Sequence, residues 1–144
     1  MQHSLSRLVA ILHRSHAMYI NRALKQWNIS SGEIGFLMTL YRQEGCTQEQ
    51  LCSLLAIDKA AATRALTSLE SKGYISRHTD ARDKRCKCIH LTDKAKALKQ
   101  DITDEVRAWN GKASELVGEE TYRMICENLQ IILSHETSEQ NHES

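Results

Sequence analysis

With 144 residues, 41% of them hydrophobic and 26% charged, the chain is long enough for one compact domain with a real core and too short for two of ordinary size. That balance excludes a disordered chain, and the longest apolar runs, such as Leu8-Val9-Ala10-Ile11-Leu12, are too short to cross a membrane. The net charge of +1 conceals polarity: residues 1–58 carry a net +1, residues 59–92 a net +5 and residues 93–144 a net −5. A basic centre beside an acidic end is the footprint of a nucleic-acid surface, although a solvated charged face gives similar counts. The N-terminus carries no apolar stretch followed by a cleavage site, so the expected location is the cytoplasm. Five cysteines without a secreted context are expected to stay reduced.

No proline occurs and glycines are sparse, which predicts a mainly α protein with short connections. From Leu5, the apolar residues Leu8, Val9, Leu12, Tyr19, Ile20, Ala23, Leu24 and Trp27 recur at three and four, a single stripe on a long first helix. Such a helix needs a partner surface for its stripe. Ser30 or Ser31 caps a second helix with Glu33 in its first turn, and Ile34, Leu37, Met38, Leu40 and Tyr41 form its buried face up to the stop at Gly45. Thr47-Gln48-Glu49-Gln50 has the form of a capping box and opens a short third helix with Leu51, Leu54 and Leu55. Asp58 then caps a fourth helix, whose core side is Ala62, Ala65, Leu66 and Leu69 and whose stop is Lys72-Gly73.

Beyond Gly73 the pattern changes to strand, loop, strand. Tyr74 to His78 and Cys86 to Leu91 flank the polar loop Thr79-Asp80-Ala81-Arg82-Asp83-Lys84, a basic hairpin. Thr92-Asp93 caps a further helix through Leu98, Ile102, Val106 and Trp109, and Glu119 opens a last one carrying Tyr122, Ile125, Leu129, Ile132 and Leu133. The end from Glu136 to Ser144 is polar and expected to be disordered.

A short helix, a turn, a helix and a charged hairpin suit duplex DNA, because the major groove admits one helix and the adjacent minor groove a thin loop. On the fourth helix Lys59, Ala60, Thr63, Arg64 and Thr67 share the side away from the core. Arg64 can donate twice to guanine or reach a phosphate, and Ala60, Ala61 and Thr63 can meet thymine methyl groups. The plainer reading of Arg64 is a surface ion pair near Glu70, and that of Arg82 a solvated loop charge.

The run Asp58-Lys59-Ala60-Ala61-Ala62-Thr63-Arg64-Ala65-Leu66-Thr67-Ser68-Leu69-Glu70-Ser71-Lys72-Gly73-Tyr74-Ile75-Ser76-Arg77, with Asp80-Ala81-Arg82-Asp83-Lys84-Arg85 and Leu91-Thr92-Asp93-Lys94, resembles the MarR family of bacterial regulators. The resemblance spans nearly the whole chain. It implies a winged helix-turn-helix fold in a single domain 1–144, made of an N-terminal dimerisation helix (1–28), a DNA-binding lobe (29–91), C-terminal dimerisation helices (92–135) and a polar tail (136–144). It implies a homodimer on a pseudo-palindromic double-stranded operator, with Arg64 reading the major groove, Arg82 in the minor groove beside Lys84, and Asp80 and Arg85 bracing the wing by ion pairing. It also implies a repressor released by a small phenolic or aromatic effector, for which His13, His16 and Tyr19 of the first helix and Phe36 and Leu40 of the second are candidate lining residues. Aromatic residues at that spacing equally serve a core.

Other branches of the family sense oxidants through a cysteine or bind metal, and a winged helix can also serve protein contacts alone. Cys86, Cys88 and His90 are expected on one strand face, too nearly in line to close a zinc site by themselves. The remaining thiols lie beside apolar neighbours and read as small buried hydrophobes. With no Gly-rich phosphate loop, CxxC pair or HExxH, the chain is expected to be no enzyme and to carry no cofactor or metal.

Overall fold

A computed structural model describes residues 3–142. In chain order the elements are α1 (Leu5–Ala23), a 3-10 turn (Lys25–Trp27), α2 (Ser31–Arg42), β1 (Cys46–Thr47), α3 (Gln48–Leu55), α4 (Lys59–Ser71), β2 (Ile75–Thr79), β3 (Lys87–Leu91), α5 (Asp93–Ala97), α6 (Lys99–Val117) and α7 (Glu119–His142). The mainly α fold with a β-hairpin wing is as expected. The hairpin gains a third antiparallel strand, in the order β1-β3-β2, with Cys46 opposite Ile89 and Arg77 opposite Ile89 on the other side.

The chain divides into two compact units, residues 1–106 and 107–144. In the first, the core gathers Ile20 from α1 and Leu24 just beyond it, Phe36, Leu37 and Leu40 from α2, Leu51 from α3, Ala62, Leu66 and Leu69 from α4, Ile75 and Ile89 from the sheet, Ala95 from α5 and Ile102 from α6. Full burial of one such leucine stabilises by about 1.5–3 kcal/mol. The first helix is thus part of the lobe's own core at its C-terminal end. Its N-terminal part is different, for Leu5, Leu8, Val9, Ile11 and Leu12 are exposed.

Local chemistry fixes where the helices start and stop. Ser30 and Glu33 form one capping box and Thr47 and Gln50 another, each satisfying backbone amides that the first turn leaves open. The Asp58 carboxylate accepts the Ala61 amide at 2.8 Å and so starts α4. At its far end Gly73 takes φ +82, where the Gly73 amide donates to Glu70 and the Tyr74 amide to Leu69. Those two bonds make a Schellman ending, and the buried Tyr74 and Leu69 supply its apolar contact.

Three expectations change. The first helix stops at Ala23 rather than running to Trp27, because Asn28 adopts a left-handed φ of 57 that asparagine tolerates, and the Ile29 amide turns back to Leu24. The helix after Thr92 is interrupted at Leu98, giving α5 and α6. The polar end does not open into coil within the described residues: α7 continues to His142. Nothing there breaks a helix, and Ser134, Thr137 and Ser138 return their hydroxyls to carbonyls one turn back while His135 lies 3.8 Å from Glu139.

The second unit holds the end of α6, Gly118 at φ +89, and α7. Its surface carries Leu116, Met124, Ile125, Leu129, Ile131, Ile132 and Leu133, all exposed. Among the described residues no helix is long and apolar enough to cross a membrane.

Candidate nucleic-acid interface

The candidate reading face is built by α4. Because its core contacts recur at Ala62, Leu66 and Leu69, the opposite side is left to Lys59, Ala60, Thr63, Arg64 and Thr67, all exposed, with Ala61 half-buried. Arg64 has no ion pair among the described residues, so the expected alternative of a surface pair near Glu70 is not realised. Glu70 instead faces Arg77 of β2 at 3.6 Å. Thr63 is already ordered: its hydroxyl donates to the Lys59 carbonyl at 2.8 Å and accepts from the Gln48 amide group at 2.8 Å. Gln48, the first residue of α3, therefore borders that candidate face, a placement that only the packing of α3 on α4 reveals.

The wing loop is held by its acidic residues, in a different manner from that expected. Asp80 Oδ1 accepts the Arg82 amide at 2.9 Å, Asp83 Oδ1 accepts the Arg85 amide at 3.0 Å, and the backbones of Asp80 and Cys86 join at 2.9 Å. No Asp80–Arg85 ion pair is present among the described residues. A short carboxylate at a turn finds an amide two residues on before it can reach a distant guanidinium. The result leaves Arg82, Lys84 and Arg85 exposed on a loop whose backbone is fixed.

A cleft of about 620 Å³ runs between α1, α2 and α4. Of the five expected lining residues, His13, His16 and Phe36 face it. Tyr19 and Leu40 do not: the Tyr19 hydroxyl donates to the Glu105 carbonyl at 2.8 Å, and Leu40 lies wholly within the core. Part of the wall is α4 itself, through Ala61, Arg64, Ala65 and Ser68. Burial, and then the neighbouring His13, holds the His16 imidazole below its ordinary value.

At the cleft's end Lys72 meets Glu33 at 2.8 and 2.9 Å. Burial alone would raise the Glu33 carboxyl, but hydrogen bonds from Lys72, Ser68 and Ser30 outweigh it and hold it below its ordinary value. One side chain thereby caps α2 and anchors the end of α4.

The expected row of Cys86, Cys88 and His90 is not a row. Cys88 and His90 share a half-exposed strand face, with His78 lying edge-on to His90 at 5.3 Å between ring centres, but Cys86 precedes β3 and hangs in the turn, its thiol 3.7 Å from Asp83. That carboxylate, more than burial, pushes the Cys86 thiol up. Cys46 is buried and likewise raised. Among the described residues no group of three or more His, Cys, Asp or Glu is placed to hold a metal ion.

A family model for the MarR family matches residues 29–87, the span from the entry of α2 to the start of β3. A MarR transcriptional regulator from Methanosarcina mazei Go1 is 30% identical in sequence and superposes with a TM-score of 0.86, covering 93% of this chain and 96% of that one. The chain belongs to the MarR family. The HTH-type transcriptional regulator BilQ of Clostridioides difficile (strain CD3) is 24% identical over 135 residues, 94% of this chain and 91% of its own. A MarR family regulator from Listeria monocytogenes, solved in complex with 26mer DNA, shares the fold with a TM-score of 0.89 at 24% identity, over 96% of this chain and 92% of that one. The relatives of this MarR family chain are transcriptional regulators and not enzymes, and the chain is a winged helix-turn-helix transcriptional regulator.

Proposed function

We propose that the protein acts in the cytoplasm as a homodimeric repressor on a pseudo-palindromic double-stranded operator and is released by a small aromatic or phenolic effector. The observation that carries the DNA reading is Arg64, a guanidinium with no ion pair among the described residues on the exposed side of α4, in the same lobe as a wing tip with fixed backbone. Arg64 would donate to guanine O6 and N7, with Ala60, Ala61 and Thr63 against thymine methyl groups and Lys59 and Thr67 at the groove edge. Arg82 would enter the neighbouring minor groove, with Lys84 on the backbone; Asp80 would brace this loop through the Arg82 amide. Arg85, exposed beside them, would add charge rather than a pairing.

The dimer reading rests on apolar side chains left open on the first half of α1 and along α7, which two copies would cover in each other. The effector reading rests on the cleft. Its volume suits a small molecule, its walls combine Phe36 and alanines with His13 and His16, and Arg64 serves as one of them. A ligand there would compete with DNA for the same helix.

The decisive experiment is selection of bound duplexes from a random pool. An inverted repeat with half-sites about one helical turn, roughly 34 Å, apart is the expected outcome. Recovery of no preferred sequence, with affinity insensitive to salt, would point instead to a winged helix that contacts other proteins.

A further inference from the structure

Arg77 lies in β2 directly opposite Ile89, on the side of the strand whose preceding member, Ile75, is buried. Its stem is carried from this inner side along α4, and its guanidinium emerges between Thr67 and Glu70. These residues are three apart and so share one flank of that helix. None of its contacts there is tight. Nη2 stands 3.5 Å from the Thr67 hydroxyl and Nε stands 3.6 Å from Glu70 Oε2, beyond ordinary hydrogen-bond length, while Nε is buried with no hydrogen-bond partner among the described residues. Buried donors are almost always matched, and this one is not. The Arg77 side chain is still 22% exposed, and its neighbour Thr67 belongs to the exposed row of the recognition helix.

With Nε buried and unmatched the fork is only loosely held, and its Nη end, 3.5 Å from the Thr67 hydroxyl on a side chain still partly exposed at the rim of a DNA-reading helix, is the part open to an acceptor from outside the protein. We propose that Arg77 binds a backbone phosphate of the operator at the junction of α4 and β2, with Glu70 holding the fork in place until DNA arrives. A phosphate is the fitting class of ligand because it offers paired oxygens to a planar guanidinium. The contact would tie the angle between recognition helix and wing to the DNA backbone, and would add affinity without reading sequence. This inference rests on the DNA-binding function proposed above.

The test measures affinity against salt concentration for wild type, Arg77→Gln, Arg77→Lys and Glu70→Gln, on the selected operator and on a scrambled duplex of the same length, with melting curves for each. For Arg77→Gln the expected result is a loss of about tenfold on both duplexes, from one charged hydrogen-bonding group removed. Its slope of log affinity against log salt should fall by about 0.9, one phosphate's worth. Arg77→Lys should keep the wild-type slope with part of the affinity, since the charge stays and the fork goes. Glu70→Gln should bind at least as tightly as wild type. A wild-type slope in Arg77→Gln would overturn the inference, and so would affinity losses in Arg77→Gln and Glu70→Gln that merely follow their melting temperatures, because a brace inside the lobe predicts just that. Failure of the wild type to bind either duplex would remove the DNA-binding function itself, a result distinct from a wild type that binds and an Arg77→Gln variant with unchanged slope.

Discussion

Leu66 and Leu69 on α4 are fully out of solvent, whereas Leu12 on α1 and Leu133 on α7 stand 55% and 58% exposed, although all four are leucines at helical spacing. The lobe spends its apolar residues on itself, through a core that gathers α1 to α4, the sheet and the start of α6. The ends do not. A helical stripe is a demand for a partner, and the lobe meets that demand within one chain while the first half of α1 and all of α7 leave it open. Even within α1 the boundary is visible, since Ile20 is buried and Leu5 to Leu12 are not. Stability of the lobe and stability of the ends are therefore separate quantities, and they can be broken separately.

The largest effect is expected at the ends. Leu129→Glu with Ile132→Glu puts two charges on the exposed apolar face of α7 and should turn a dimer into monomer or aggregate, as read by sedimentation. Operator affinity should fall by roughly a hundredfold or more once the two half-sites are no longer bound by one assembly. The same variant should keep the far-ultraviolet signal of the helices. A wild-type chain that stays a soluble monomer at micromolar concentration would contradict the reading of both ends.

Next in size is a change inside the lobe. Glu33→Gln removes the charge that caps α2 and holds Lys72, and should lower stability by about 2–3 kcal/mol because a largely buried carboxylate serves several donors at once. The sign of its pH dependence follows from a folded value held below the ordinary 4.5. Its stabilising effect is complete above that value and is lost as the pH falls through the lowered one. The gap in melting temperature between wild type and variant should accordingly be constant near neutrality and close below about pH 4.5. A gap that stays open under acid would mean that Glu33 acts by shape alone.

How much of this was legible in the sequence depends on how far each contact reaches. Starts written within four residues were readable: a serine at 30 or 31 ahead of Glu33, Thr47 with Gln50, and Asp58 ahead of α4. So was the division of α4 into a core side and a reading side, because both follow from one period. What needed a distant partner was not. Strand β1 is two residues long and exists only because Ile89 and Cys88 lie beside it. Glu33 was readable as a first-turn acid, yet nothing local showed that Lys72, 39 residues on, would claim the same carboxylate. Tyr19 was a candidate cleft residue only through the family resemblance and is instead turned to the Glu105 carbonyl. The Asp80–Arg85 pairing came with the family resemblance, and here the aspartates cap their own turns instead.

The two arginines sharpen the comparison from the DNA side, since both sit on the lobe and neither belongs to its core. Arg64→Ala should cost about 1–3 kcal/mol on the preferred operator and relax discrimination at one base pair, while Arg82→Ala should weaken binding chiefly where the flanking minor groove is narrow. Competition assays with single-base operator variants distinguish them. Neither substitution should move the melting temperature, as both side chains are exposed. Equal binding by wild type and both variants would strip the reading face and the wing tip of their assigned roles.

The smallest expected effect is none, and it concerns the thiols of the wing. A cysteine senses oxidant or metal as its thiolate, so a reactive one sits where positive charge favours that form. Cys86 is in the opposite setting: its thiol leans on the Asp83 carboxylate, which keeps the proton on sulfur. Cys88 is half-exposed on the strand opposite His78, while Cys86 lies just before β3 with its thiol on Asp83, and among the described residues no group of three or more such side chains is placed to hold a metal ion. Cys86→Ser with Cys88→Ser should thus bind operator like the wild type, and peroxide or zinc at modest concentration should affect both complexes alike. Because the wing backbone is tied by Asp80 and Asp83 rather than by sulfur, its shape does not depend on either thiol. Release of DNA from the wild type alone would reverse this reading and place the signal input on the wing, a few residues from Arg82, instead of in the cleft beside Arg64.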